Sequence, residues 1–146
     1  MKQAATLIRL LTAVIAMSPA CAGLAQAEEP APALAMELNG LEKSQAGCRL
    51  TFVVTNDLGK PLDKAAFEIV LFDQKGLVDR LSVLDFKALP AGKTKVRQFD
   101  LPGVDCPAVS RVLVDDATAC QGDDVAANAC IANLKTETKS PVAFGS

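Results

Sequence analysis

Apolar and polar residues alternate along several short segments of this chain, and turn residues bound each segment. The pattern is clearest in residues 66–72, where Phe67, Ile69 and Leu71 occupy every other position. Side chains two residues apart lie on one face of a β-strand, so this spacing predicts a strand with one buried face. The same criterion predicts strands at 34–41, 49–55, 66–72, 77–86, 94–101 and 110–118. Asp123 or Asp124 can cap a short helix through 128–130, and a last strand is expected at 134–138.

Six or seven short strands separated by Gly, Pro, Asn and Asp predict an all-β domain. The expected fold is an immunoglobulin-like antiparallel β-sandwich with a short C-terminal helix. Alternation is imperfect in 77–86, which indicates a β-bulge. We expect an Ala/Pro/Glu linker at 28–33, the sandwich at 34–140 and a C-terminal tail at 141–146. Such a tail frays, packs on its own domain or adds a strand to a partner's sheet.

Four cysteines fall in the predicted domain, and two disulfides among them allow three pairings. In a sandwich of this type the second and sixth strands run parallel in opposite sheets. Cys48 begins the second strand and Cys106 precedes the sixth, so the topology predicts a Cys48–Cys106 bridge and leaves Cys120–Cys130. Metal binding or thiol redox chemistry is not favoured, because the chain has no Cys-x-x-Cys and no His.

Residues 1–27 have the features of a secretory signal peptide. Lys2 and Arg9 supply positive charge, residues 10–17 form a short apolar core, and a small-x-small sequence ends at Ala27. The core is far shorter than the ~20 residues of a membrane-spanning helix. We therefore expect cleavage after Ala27 and export.

Lipidation at Cys21 is the alternative to simple cleavage. Ala20 precedes Cys21 as in a bacterial lipobox, although Ser18 and Pro19 stand where an aliphatic and a small residue are usual. The sequence favours a periplasmic protein without a lipid anchor. We expect no transmembrane segment in the exported chain.

Charge and aromatic content narrow the range of ligands. The chain has 15 basic and 17 acidic residues, and without Lys2 and Arg9 the remaining 13 basic residues leave a net charge of −4. That balance opposes nucleic-acid binding, which depends on neutralising phosphates. The chain also lacks Trp and Tyr, on which carbohydrate and single-strand binders usually stack their ligands.

No group of residues in the sequence indicates an enzyme. The hydroxyls of Ser44, Ser82 and Ser110 have no His to activate them. The acidic residues within 115–124 lack the alternating spacing of a calcium loop and are typical of solvated surface. We expect no catalytic residue, no metal and no cofactor.

Two segments resemble bacterial immunoglobulin-like domains of the FxLYD type. They read TFVVTNDLGKPLDKAAFEIVLFDQKG and LPAGKTKVRQFDL, and they cover residues 50–101 approximately. Phe72-Asp73 stands at the family's aromatic-Asp pair, without the hydroxyl of the usual Tyr, and Pro90-Ala91-Gly92 stands at its turn. The chain is also similar to short exported bacterial proteins of unknown function. The resemblance implies an extracytoplasmic sandwich and no catalytic residue.

Basic residues recur along the fifth predicted strand and form the candidate partner surface. Lys93, Lys95 and Arg97 have a period of two, and Arg80 lies nearby if the fourth and fifth strands are neighbours. One interpretation is a docking face for an acidic partner. The other, which the sequence favours, is a strand edge guarded by basic residues against aggregation.

These observations favour a non-catalytic periplasmic interaction or accessory module of the bacterial cell envelope, with an envelope protein as its partner. The alternative is an exported module that binds a small ligand or a metal. The sequence leaves the identity of the partner and the oligomeric state open.

Overall fold

The computed structural model describes residues 28–146 of the chain. The predicted signal peptide, its cleavage site and Cys21 lie outside the described residues. The described part forms eight strands and one short α-helix: β1 (Ala33–Lys43), β2 (Gly47–Asp57), β3 (Leu62–Phe72), β4 (Val78–Leu89), β5 (Thr94–Pro102), β6 (Arg111–Gln121), α1 (Ala129–Ala132), β7 (Lys135–Thr138) and β8 (Ala143–Gly145). A 3₁₀ turn, Cys106–Ala108, precedes β6.

The strands form two four-stranded sheets. The first sheet has the order β5-β2-β1-β7 and the second has the order β4-β3-β6-β8. The first sheet contains β1, β2 and β5, and the second contains β3 and β6. This distribution of strands between two sheets is that of an immunoglobulin-like sandwich. The predicted all-β sandwich is confirmed, with a short C-terminal helix. Its central strands pair antiparallel, whereas β7 and β8 pair parallel with β1 and β6.

The C-terminal segment closes one side of the sandwich. After α1 the chain adds β7 to the first sheet, crosses over and adds β8 to the second sheet. Val142 is buried on the crossover, and the Phe144 ring lies 5.7 Å from the Phe52 ring, centroid to centroid. Part of the segment that the sequence left as a tail is therefore a strand packed on its own domain.

Five of the six phenylalanines fill the space between the sheets. Phe86 is at the centre, with its ring centroid 4.9 Å from that of Phe99, 5.3 Å from Phe67 and 5.4 Å from Phe52. Edge-to-face and tilted contacts of this kind stabilise beyond the burial of area alone. The sixth, Phe72, lies on the opposite, outer face of the second sheet.

β4 is irregular in two places, and the sequence predicted a bulge in this strand. Near its end Lys87 has a φ of 62°, and the Asp85 carboxylate accepts the Lys87 backbone N–H at 2.9 Å. Phe86 keeps the inward phase of Leu84, and the irregularity brings Leu89 to the buried side as well. Near its start Asp79 is an extra residue, because Arg80 pairs with Leu71 while Val78 pairs with the next residue of β3. The extra residue brings Val78 onto the same face as the outward side chains further along β4.

Both predicted disulfides are confirmed. Cys48–Cys106 joins the start of β2 to the 3₁₀ turn before β6, and Cys120–Cys130 joins β6 to α1. The first bridge therefore anchors β2 of the first sheet to the segment that crosses from β5 to β6 of the second sheet. Gly47 stands beside it with a φ of 158°, and a Cβ at that position would collide with the carbonyl oxygen of Leu101. Glycine is needed there because another strand's backbone approaches closely.

Asn56 is the buried polar residue of the described core. Its side-chain amide donates to the carbonyl oxygens of Lys60 and Leu89, and its Oδ1 accepts the backbone N–H of Leu58. The side chain thus links the β2–β3 turn to the end of β4. These bonds satisfy a buried amide that would otherwise be costly.

Candidate functional site

The structure brings Arg80 and Arg97 to one side of the sandwich, where β4 and β5 are the edge strands of opposite sheets. Arg97 lies opposite buried Phe52 in the register of β5 with β2, so its side chain starts on the inner face. Its guanidinium donates to the carbonyl oxygens of Phe86 at 2.7 Å and Ala88 at 3.1 Å. Arg97 therefore bonds the backbone of β4 and joins the two sheets.

Arg80 acts at the other end of the same side. Its guanidinium donates to the carbonyl oxygen of Pro102 at the end of β5. Arg80 and Arg97 thus fasten β4 to β5 in opposite directions, and we call the two residues the arginine clasp. Inward-pointing charges and bonded carbonyls at a sheet edge also discourage pairing with another chain's edge.

The two lysines of the candidate partner surface do not join the clasp. Lys95 is half-buried on the inner side of β5, opposite Val54, and Lys93 is exposed in the turn between β4 and β5. The basic residues therefore do not project together as one face into solvent. The arrangement resembles a guarded and fastened edge more than a continuous basic docking face.

The outer face of the second sheet exposes apolar side chains in a row along β4. Val78, Leu81 and Val83 are 55, 55 and 58% exposed. Their cross-strand pairs on β3 are Val78–Phe72, Leu81–Val70 and Val83–Glu68. Leu113 on β6 pairs with Val70 and extends the Leu81–Val70 pair to a third strand. We define the outer apolar patch as Val78, Leu81, Val83, Val70, Leu113 and Phe72.

Charged residues lie at the two ends of the outer apolar patch. At one end the Arg111 guanidinium lies over the Phe72 ring, 5.0 Å from its centroid. At the other end Glu68 on β3 stands opposite Asp116 on β6. Arg111 and Asp116 are both exposed, and their cross-strand partners put them on the outer face. The patch thus has a positive end and a negative end.

The outer face of the first sheet is different, because its side chains pair with one another across β2 and β5. Arg49 makes a bidentate ion pair with Asp100, at 3.0 and 3.1 Å. The next polar pairs are Thr51–Gln98 at 3.1 Å and Thr55–Thr94 at 2.8 Å. We call these three pairs the polar ladder. Val53 and Val96 form an apolar pair within it.

The Arg49–Asp100 pair fixes the charge of its carboxylate. The hydrogen bond from Arg49 lowers the pKa of Asp100 below its ordinary value, and a hydrogen bond from Ser44 acts in the same direction. The same contact raises the pKa of Arg49. Both groups stay charged at neutral pH, so this end of the polar ladder is an ion pair that needs no outside partner.

An open cleft of about 600 Å³ lies at one end of the sandwich, between the end of β1 and the C-terminal crossover. Several of its polar groups already bond the protein's own backbone. Ser110 Oγ donates to Phe72 O and Gln74 Nε2 donates to Pro107 O. Lys43 and Asp105 are the charged residues of the lining. The cleft is large enough for a small molecule but offers it few free polar groups.

Residues 28–146 contain no group of three or more His, Cys, Asp or Glu side chains arranged to hold a metal ion. The acidic residues of 115–124 are spread over a strand and the loop after it. Across the same residues, no helix is long and apolar enough to cross a membrane.

Sequence reasoning missed the outer apolar patch, although β4 carried a signal for it. Its sequence, VDRLSVLDFKAL, places apolar residues at both odd and even positions. Leu84 and Phe86 fill the inner face, which leaves Leu81 and Val83 for the outer face. Two-sided apolar character in an edge strand indicates a second surface that excludes water.

In comparisons with known proteins, the chain matched no family model, no curated protein and no solved structure. The resemblance to FxLYD-type domains therefore stays a prediction from the residues that carry it.

Proposed function

We propose that this protein is a non-catalytic interaction module of the bacterial cell envelope and that the outer apolar patch is its binding surface. The observation that carries the proposal is the exposure of Val78, Leu81 and Val83 on one face of one strand. Isolated apolar side chains on a surface need no explanation, but contiguous exposed apolar rows mark interaction sites.

Several side chains of types that serve catalysis in enzymes hold the fold together here. The four cysteines of residues 28–146 form two disulfides. Arg80 and Arg97 bond backbone carbonyls, and the Asp100 carboxylate is paired with Arg49. These contacts support a scaffold whose function depends on surface complementarity.

The proposed location is the periplasm, reached by a signal peptide over residues 1–27 with cleavage after Ala27. Disulfides persist in oxidising compartments, and the two in this chain fit an exported protein. The proposed partner is a protein of the envelope, and the proposed relationship to FxLYD-type domains fits a sandwich that acts by binding.

In-cell photo-crosslinking tests the proposed function. A photoreactive amino acid placed at Leu81 should form discrete crosslinks to protein in the periplasm. Val96 is the matched control, because it is 57% exposed in an edge strand of the other sheet. We expect crosslinks at position 81 and few or none at 96. Equal yields at the two positions would remove the basis for assigning binding to this face.

A second candidate function is small-ligand binding in the cleft at the end of the sandwich. Its volume of about 600 Å³ favours this alternative, and Lys43 and Asp105 would supply its charges. A thermal-shift screen of small molecules tests it. A hit whose stabilisation is lost in Lys43→Met, but kept in Leu81→Thr, would transfer the function from the outer apolar patch to the cleft.

A further inference from the structure

The charges around the outer apolar patch are ordered along the strands. The patch has three rows, each running across β4, β3 and β6. The rows are Val78–Phe72–Arg111, Leu81–Val70–Leu113 and Val83–Glu68–Asp116. The first row ends in a cation, the middle row is uncharged, and the third row ends in two adjacent acids. Like charges side by side on a sheet are unfavourable, so the third row attracts a cation.

A second copy of this chain supplies a matching surface if the two sheets pack face to face. The two-fold axis of such a pair lies between the sheets. If the axis runs across the strands through the middle row, each strand faces its own copy in the reverse direction. Arg111 then faces Asp116 of the other copy, Val78 faces Val83, and Leu81 faces Leu81. Glu68 then faces Phe72, and the Arg111 guanidinium that lies over the Phe72 ring is the nearest cation to both acids of the third row.

The alternative axis, along the strands, does not match the charges. It would place Arg111 over Val78 of the other copy and Asp116 over Val83. Charges desolvated against apolar side chains without a partner are costly. Packed sheets usually cross at about 30°, which displaces the outer rows by a few Å, within reach of an arginine side chain. The order of the charges therefore selects the axis across the strands.

We infer that the outer apolar patch pairs with a second copy of this chain in an isologous dimer, with two Arg111–Asp116 contacts flanking an apolar centre. This inference rests on the proposed function, which makes the patch the binding surface. Three strands about 4.8 Å apart over about nine residues, with the three residues of β8 beside them, give a face of about 480 Å² per copy. Two such faces total about 960 Å², below the usual size of specific interfaces, so the dimer is weak and concentration-dependent.

Sedimentation equilibrium over a concentration series tests the pairing, on protein with both disulfides formed. We expect a monomer–dimer equilibrium with a micromolar dissociation constant. Arg111→Asp and Asp116→Arg should each raise that constant at least tenfold, because each creates two like-charge contacts. Mixed in equal amounts, the two variants should regain wild-type affinity as a heterodimer, since every 111–116 contact is then between opposite charges.

The matched controls are Arg49→Asp and Asp100→Arg, which reverse charges on the outer face of the first sheet. Neither should change the dissociation constant. Asp116 also accepts the backbone N–H of Ala117 at 2.7 Å, so Glu68→Lys replaces Asp116→Arg if that variant unfolds. Glu68→Lys leaves Asp116 in place and cancels the negative charge of the acidic end. It should raise the dissociation constant of its own dimer and bind Arg111→Asp more tightly than Arg111→Asp binds itself.

The outcomes separate this inference from the proposed function. A wild-type protein that stays monomeric at several hundred micromolar overturns the inference, as does a mixture that does not regain affinity. If position 81 still crosslinks to another protein in cells, the proposed function stands without the dimer. If the protein is monomeric and position 81 gives no crosslink, both proposals fall.

Discussion

The two outer faces of this sandwich differ in how far their side chains find partners within the same sheet. On the first sheet, Arg49 and Asp100 neutralise each other, and the other polar pairs of the ladder bond across β2 and β5. On the second sheet, Leu81 and Val83 have no such partners, and acids stand next to acids. A sheet face whose charged and polar side chains pair with one another stabilises the fold. A face with exposed apolar side chains and adjacent like charges is available for binding.

The largest expected effect is on the connection between the two sheets. The Cys48–Cys106 bridge spans 58 residues and Cys120–Cys130 spans 10. By loop-closure entropy, the long bridge stabilises the folded state by about 4 kcal/mol and the short bridge by about 3 kcal/mol. Replacing Cys48 and Cys106 by Ala should therefore lower the urea unfolding free energy more than replacing Cys120 and Cys130. A larger loss from the short loop would show that the bridge between the sheets is not the dominant constraint.

The next effect concerns the arginine clasp, which holds the edge of the apolar face to the edge of the polar face. Arg97→Met keeps an apolar stem but removes charge-assisted bonds to two carbonyls, at a cost of about 2–3 kcal/mol. Lys95→Met, on the same side of β5, should cost less than about 0.5 kcal/mol. Thermal unfolding of both variants makes the comparison. Equal losses of unfolding free energy in the two variants would mean that Arg97 stabilises the fold through its apolar stem and not through its hydrogen bonds.

A smaller effect is expected when polar residues replace exposed apolar residues on the outer face of the second sheet. Leu81→Thr with Val83→Gln should weaken self-association at least tenfold, which is about 1.4 kcal/mol. Stability should change by no more than about 0.5 kcal/mol, because both side chains are exposed. Val96→Thr, the control on the first sheet, should change neither quantity. A loss of stability without a loss of association would identify the patch as part of the fold.

The smallest effect is the pH dependence of the polar ladder. The folded pKa of Asp100 is below its ordinary value because Arg49 bonds the carboxylate. The ionised form is thus favoured in the folded state, and its stabilisation is present above about pH 4, the ordinary Asp range, and lost as the pH falls through the folded pKa. Asp100→Asn should flatten the stability curve below about pH 4. A slope unchanged by this substitution would show that the pair contributes no measurable stability.

Most of the fold followed from the sequence because its signals are local. Period-two alternation located β2 and β3, and turn residues separated them. Cys48–Cys106 followed from strand order alone, since the second and sixth strands meet at one end of a sandwich. β8 has three residues and no alternation to detect. It forms because Phe144 packs against Phe52, a contact made across the fold.

The site was less predictable because it depends on which face of a strand is buried. Lys95 and Arg97 share a face, as their spacing indicated, but the face is the inner one. Alternation indicates which side chains share a face of a strand. It does not indicate whether that face of an edge strand points into the core or into solvent. The extra residue at Asp79 brings Val78 into phase with Leu81, and no periodic pattern locates such a residue.

The most direct measurement of the difference between the two faces is a methyl NMR dilution series. Leu81, Val83 and Leu113 report on the outer apolar patch, while Val53 and Val96 report on the first sheet under the same conditions. Methyl resonances of the patch should shift progressively as the protein concentration rises, and those of Val53 and Val96 should stay fixed. Shifts confined to Val53 and Val96 would contradict the assignment of binding to the second sheet, and no shift at either face up to several hundred micromolar would contradict self-association through the patch.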